Sequence, residues 1–242
     1  MTDRRLTFTA HLTELRSCLI RSLIALAVGM TVSLIFAKDI FRFLQKPLLE
    51  VMPPDSGFIA TLPFEALIAY LKVGALAGVF LASPVILHQI WKFVAPGLHE
   101  RERRTTLLFT ILSTIFFVGG ALFGYFEIFP VGFKFMVGTL NGTGIRFLPQ
   151  MKDYLSFISR MLLVFGGIFE MPLVILLLAK AGLVKAEMLR RSRRYVIVAL
   201  FLVAGILTPG PDVLSQLLLA IPLLVLFELS VIGVKIMERR TK

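Results

Sequence analysis

Residues 166 to 178 read GGIFEMPLVILLL and hold one carboxylate, Glu170, the tenth of the 19 residues of an apolar run from Met161 to Ala179 that Arg160 and Lys180 bound. An acid at that depth costs about 2.5–3.5 kcal/mol on insertion scales. Protonation lowers the cost. Three kinds of chemistry are open to such a residue: a structural hydrogen bond to a neighbouring helix, a polar spot facing a cavity or a partner's transmembrane segment, and a proton carrier in a secondary transporter. Pro172 lacks an amide hydrogen and leaves the carbonyl of Ile168 without its usual donor, so a bend is expected beside the acid.

A second set of carboxylates lies among arginines. HLTELRSCLIRS (11–22) puts His11, Glu14 and Arg21 near one helical stripe, and WKFVAPGLHERERR (91–104) carries Glu100 and Glu102. The bland reading is a solvated charged surface. The sharper one is an acceptor for guanidinium groups, whose planar fork matches a carboxylate through two parallel hydrogen bonds. Catalysis finds no footing: no phosphate-binding loop, HExxH or GxSxG motif occurs, and His11, His88 and His99 are expected to be interfacial. With one cysteine, Cys18, and no metal-ligand spacing, neither an internal disulfide nor a metal site is expected. The chain reads as no enzyme and as needing no cofactor.

The elements that must position these residues are set by composition. Of 242 residues, 57% are hydrophobic and 17% charged, with a mean hydropathy of +0.86, which is an integral membrane protein's balance. The formal charge of +11 belongs beside apolar runs, where anionic lipid and membrane orientation explain it; nucleic acid is not an expected partner. The start, MTDRRLTFTAHLTELRSCLIRS, does not read as a removable signal peptide. Crossing the hydrocarbon takes about 20 helical residues, and candidate spans fall at 19–37, 66–90, 105–129, 158–179, 195–208 and 213–234, in one domain over 1–242. Six helical crossings put both termini on one side. With the N-terminus inside, 18 Lys and Arg lie on the inner side against 7 on the outer, so the positive-inside rule places both termini in the cytoplasm.

The outer segments 38–64 and 130–157 read as loops, with turn chemistry at PPDSG (53–57) and NGTG (141–144), and TPGPD (208–212) reads as a tight turn. The 14 residues between Arg194 and Pro209 make about 21 Å of helix against a core of about 30 Å, so the membrane thins there or the hairpin sits in an assembly. Lys72 is expected to snorkel to the outer interface. Gln216 needs a partner, either Thr208 across the turn or another chain.

Taken in order, HLTELRSCLIRS (11–22), QKPLLE (45–50), SPVILHQIWKFVAPGLHERERR (83–104), FEMP (169–172) and TPGPDVLSQLLLAIPLLVLFELS (208–230) resemble the TatC family, the polytopic core subunits of the twin-arginine protein translocase, along nearly the whole chain. The resemblance implies an all-α membrane fold of six helices in a cupped, glove-like arrangement, with short fifth and sixth helices, in the bacterial inner membrane. It implies recognition of twin-arginine signal peptides of folded cargo by Glu14 and Glu102 on the cytoplasmic face, with Glu100, Arg16 and Phe93 on the same surface. It makes Glu170 the family's mid-membrane acid and puts Thr208 and Gln216 where TatA- and TatB-type single-span partners dock. Pro47, Pro96, Pro172 and Asp212 become structural positions, and a homo-oligomer within the translocase is implied. The chain departs from the family pattern at TPGPD, where TPPD is commoner, and at HERERR, which sets Glu100 beside Glu102.

Overall fold

The computed structural model describes residues 8–53, 56–94, 103–140, 147–207 and 213–241. These form α1 (Phe8–Ile35), α2 (Ala37–Leu49), α3 (Glu65–Val94), α4 (Arg103–Phe123), a π-helical turn (Gly124–Ile128) continuing into α5 (Phe129–Gly138), α6 (Met151–Phe169), α7 (Met171–Lys180), α8 (Ala186–Leu207) and α9 (Val213–Thr241). Five continuous stretches are long and apolar enough to cross a membrane: Leu12–Ile35, Glu65–Phe93, Thr106–Gly138, Met151–Lys180 and Leu219–Arg239. The protein is an all-α membrane protein. α8 is not among the five, because its first half carries Arg190, Arg191, Arg193 and Arg194 and only its second half is apolar.

The long helices run past their expected spans at one end or both, as α1 does by starting at Phe8 and α9 by ending at Thr241, since a helix does not stop where the hydrocarbon does. The expected outer loop at 38–64 is half helical. In α2, the buried Ala37, Phe41, Leu44, Pro47 and Leu48 recur at helical spacing, while Lys38, Asp39, Arg42 and Lys46 face out. An amphipathic helix of this kind lies over a bundle end instead of entering it. The other outer loop, 130–157, is likewise invaded from both sides by α5 and α6.

Close packing between the long helices depends on glycine. A Cβ on Gly29 would stand 2.7 Å from the carbonyl oxygen of Gly78, and one on Gly78 would stand 2.7 Å from the amide nitrogen of Met30. Backbone therefore touches backbone where α1 crosses α3, the small-residue contact that replaces hydrophobic driving force inside lipid. Gly120 and Gly166 do the same for α4 and α6, meeting the carbonyl oxygens of Phe165 and Phe117.

Prolines inside helices free carbonyls, and hydroxyls answer several of them. Pro47 cannot donate to Phe43, and the Tyr125 hydroxyl donates to the Phe43 carbonyl instead at 2.5 Å. Tyr154 donates to Leu44 one residue on at 2.6 Å. Pro84 leaves the Phe80 carbonyl free, and Ser83 Oγ donates to it at 2.7 Å. The two tyrosines thereby bolt α2 across the outer end of the bundle, within an aromatic cluster of Phe41, Phe58, Phe129, Phe133 and Phe157.

Glu65 closes that end. It is buried; its Oε2 accepts from the Thr61 amide at 2.6 Å, the Thr61 hydroxyl at 3.1 Å and the Leu62 amide at 3.3 Å. Its Oε1 accepts from the Lys152 amide at 3.0 Å. One carboxylate thus ties the turn that leads into α3 to the first turn of α6, which it caps. Beside it the Ile59 amide donates to Pro149 and the Met151 amide to Ile59, at 3.1 and 3.2 Å.

Two outcomes follow from this packing. Gly78→Ala should destabilise the detergent-purified protein by about 1–3 kcal/mol, the usual cost of overpacking. Gly132→Ala, where a Cβ meets nothing within 4 Å, should be neutral or stabilising in thermal melts. Glu65→Gln presents an NH2 where an N–H donor needs an acceptor, so it should lower stability by about 1.5–3 kcal/mol, as expected for a hydrogen bond to a charged group. A melting temperature equal to the parent's would show that the carboxylate clasp contributes nothing.

Candidate functional site: an intramembrane acid and a charged rim

The helix interrupted by Glu170 resumes at once. α6 ends at Phe169, Glu170 stands alone at φ −71°, ψ −18°, and α7 starts at Met171 with the buried Pro172 in its first turn. Proline is tolerated there because the first amides of a helix have no carbonyl to meet. The Val174 amide reaches back to the Glu170 carbonyl at 3.0 Å. The expected bend is a full break of one residue.

At that break the acid is tied to two other helices. Ser113 of α4, fully buried, donates to Glu170 Oε2 at 2.7 Å. The same hydroxyl oxygen accepts from the indole Nε1–H of Trp91 on α3 at 2.6 Å. Trp91, Ser113 and Glu170 are therefore a chain of donors ending on one carboxylate oxygen. The other oxygen, Oε1, is buried and has no hydrogen-bond partner among the described residues; the same holds for Gln89 Oε1 and Ser159 Oγ. A buried acceptor of this kind is expensive to leave unpaired. Half of the carboxylate is structural, and half is available to a donor.

Neither Trp91 nor Ser113 stood out in the sequence. The signal was there for Trp91: it is the chain's one tryptophan, and a buried indole N–H must find an acceptor. His88, expected at an interface, lies between helices, with Nδ1 3.1 Å from Thr110 Oγ1.

At the bundle end opposite α2, the α1–α3 register places Glu14. Gly29 meets Gly78, and the two helices run antiparallel. Fifteen residues back along α1 is Glu14, and fifteen forward along α3 is Phe93. Both stand about 22 Å from the crossing at 1.5 Å per residue, and hence level with each other. Glu14 and Phe93 are half-buried and Arg16 is exposed. Glu100, Glu102 and Pro96 lie outside the described residues, in the segment between α3 and α4. Thr208 and Asp212, between α8 and α9, also lie outside them.

Gln216, which the sequence leaves in need of a partner, donates from Nε2 to the Phe201 carbonyl of α8 at 2.7 Å. Gly205 makes the approach possible, since a Cβ there would stand 3.1 Å from that nitrogen. Lys72 is half-buried and donates from Nζ to Ser156, in the second turn of α6, at 2.6 Å. Pro47, placed as a structural position, is buried within α2.

Fold and site define a polytopic helical membrane protein with one acid tied through Ser113 and Trp91 to two neighbouring helices. Comparison with known proteins identifies which kind: residues 10–222 match the model of the family described as Sec-independent protein translocase protein (TatC), and the chain belongs to that family. It is 44% identical over 238 residues to the TatC protein of Desulforapulum autotrophicum, covering 98% of this chain and 87% of the relative. The Aquifex aeolicus protein is 39% identical, with 97% of each chain covered. That of Escherichia coli K12 is also 39% identical, with 91% of this chain and 85% of the relative covered. A crystal structure of a twin-arginine translocase receptor TatC in detergent superimposes with a TM-score of 0.83 at 38% identity, covering 92% of this chain and 98% of that one. Family membership makes this protein a translocase component.

Ser113→Ala strips Trp91 and Glu170 of a partner at once. It should cost about 1–3 kcal/mol, the penalty for stranded buried groups, whereas Thr139→Ala, which removes an exposed hydroxyl bonded only to its own helix, should cost far less. With a single tryptophan in the chain, intrinsic fluorescence reads the network directly, and an emission spectrum unchanged in Ser113→Ala would mean that the indole does not depend on this hydroxyl.

Proposed function

We propose that this protein is the signal-peptide receptor and core subunit of a twin-arginine translocase in a bacterial inner membrane, with six crossings and both termini in the cytoplasm. The observation that carries the reading is the α1–α3 register, which sets Glu14 level with Phe93 at the end of the bundle where the Glu100–Glu102 segment begins. Glu14 and Glu102 clamp the two guanidinium groups of the signal peptide, Glu100 and Arg16 tune the charge around them, and Phe93 lines the apolar approach. Exposed Lys and Arg elsewhere on the rim leave these carboxylates as the acceptors for an incoming arginine pair.

Partner subunits of TatA and TatB type dock at the α8–α9 hairpin. Val198, Leu202 and Ile206 of α8 and Val213, Leu217 and Ile221 of α9 are all exposed, each set at a spacing of four, so each helix offers an apolar stripe to a single-span helix. Gln216 of α9 belongs to that edge, and Thr208 and Asp212, which lie between the two helices in sequence, complete its polar positions. Glu170 acts at a later step, when its unpaired Oε1 accepts from a polar residue of a partner helix that has moved into the cavity. Export draws on the proton-motive force, since the chain holds no nucleotide-binding motif.

Photocrosslinking to a twin-arginine peptide tests the receptor role. Glu14→Gln and Glu102→Gln should each weaken binding by roughly tenfold or more, the loss expected for one charge-assisted pair, while replacing the peptide's arginines by lysine should do the same to the parent protein. Binding lost only in Glu100→Gln would move the site by two residues; binding retained in all three variants would remove it. Glu170→Ala should bind peptide at the parental level and fail in transport.

A further inference from the structure

Where α7 gives way to α8, a cleft of about 950 Å³ opens against the last turns of α9. Its walls carry Lys180, Lys185, Lys235 and Arg239 against two acids, Glu187 and Glu238. One of those acids is already engaged: Glu238 Oε1 accepts from the Ala186 amide at 2.9 Å, capping α8. The turn that forms the cleft mouth is tight, with Gly182 at φ +74° and the Leu183 amide returned to the Leu178 carbonyl at 2.9 Å, a helix stop that needs glycine in the left-handed region.

The depth of the cleft is fixed independently of its charge. Two membrane-crossing stretches, Met151–Lys180 and Leu219–Arg239, both terminate at it. A positive cleft at the end of two spans lies at headgroup level. On α9 the order along one stripe is Ile232, then Lys235 and Ile236, then Arg239, spaced three or four apart. Ile232 and Ile236 are exposed, so an amphiphile lying there meets apolar side chains on the membrane side and cations at the water side. A zwitterionic headgroup would bring a quaternary ammonium against lysines, and a soluble anion would leave the apolar part of the stripe uncovered.

We infer that this cleft holds the phosphate of an anionic phospholipid, with Lys185, Lys235 and Arg239 around the headgroup and the acyl chains descending past Ile236 and Ile232. Basic pockets between transmembrane helices at the inner surface favour such headgroups. The excess of two cations over carboxylates within the cleft suits a headgroup with one or two phosphates. This site is separate from the signal-peptide rim and from the α8–α9 docking edge, and it stands whether or not those assignments hold.

The experiment uses the full chain, delipidated in detergent, with phosphatidylglycerol or phosphatidylcholine added back and retained lipid counted by native mass spectrometry. The parent should retain phosphatidylglycerol in preference to phosphatidylcholine. Lys235→Gln with Arg239→Gln should weaken phosphatidylglycerol retention roughly thirtyfold, the attraction lost with two interfacial cations, and Lys185→Gln alone should weaken it less. The charge-conserving exchange Lys235→Arg with Arg239→Lys should restore it, which separates lost binding from a damaged fold. Lys38→Gln with Lys134→Gln, two exposed lysines of the outer segments, should leave it unchanged. Equal retention of the two lipids, or an equal loss in the outer pair, overturns the site. Inorganic phosphate that displaces phosphatidylglycerol fully at the same sites would show that the cleft reads phosphate alone and would overturn the lipid assignment.

Discussion

A bilayer supplies no hydrogen bonds, so a polar group that this chain carries into it is costly unless the protein itself, or a helix packed against it, supplies a partner. That constraint organises the whole molecule. Pro47 and Pro84 each free a carbonyl in a helix, and a tyrosine and a serine close the gaps. The glycines at the α1–α3 crossing serve the same rule from the other side: they bring backbones so close that no space is left for lipid. The one-residue break at Glu170 is tolerated because Ser113 and Trp91 converge on it from two neighbouring helices.

The two ends of the bundle apply the rule differently. The outer end is finished: α2 lies across it, aromatic rings fill it, and Glu65 has its acceptor capacity used by four donors. The opposite end is unfinished in the same terms, with exposed cations on α8 and α9, a half-buried Glu14 and an open cleft. One end is thereby held rigidly by its own bonds, while the other keeps charged groups exposed. The rigid end here is built from side chain to backbone bonds, which hold geometry without needing a matching residue in the partner element.

Composition and the length of apolar runs were enough to read the class of the protein, and Glu170 was legible because one acid interrupts 19 residues of apolar sequence. Helix ends were not, because hydropathy marks where the hydrocarbon stops and not where backbone hydrogen bonding stops; α2 and the first half of α8 are helical although they are too polar for the hydrocarbon. The partners of Glu170 were invisible for a different reason. Ser113 lies 57 residues away, and a serine in a transmembrane segment is common enough to carry no signal. Gln216 was recognised as needing a partner, yet the partner is a main-chain carbonyl of Phe201, which no side-chain pattern could point to. Glu65 passed unremarked because an acid in the first turn of a helix is ordinary; only its second donor, the Lys152 amide, makes it unusual.

That second donor sets an order on biogenesis. Lys152 is 87 residues beyond Glu65, which at 5–20 residues per second is roughly 4–17 s of synthesis. Throughout that interval the carboxylate has Thr61 and Leu62 to bond but nothing to hold. The α1–α3 hairpin can already be packed through its glycines, because both partners have been made; the outer cap cannot. Closure must wait until α6 has been inserted and its first turn stands beside Glu65. The clasp then records that α6 has entered in the right orientation, with α8 and α9 still to follow; a chain in which α6 entered the other way round would have its first turn at the opposite end of the bundle, where Glu65 could never reach it.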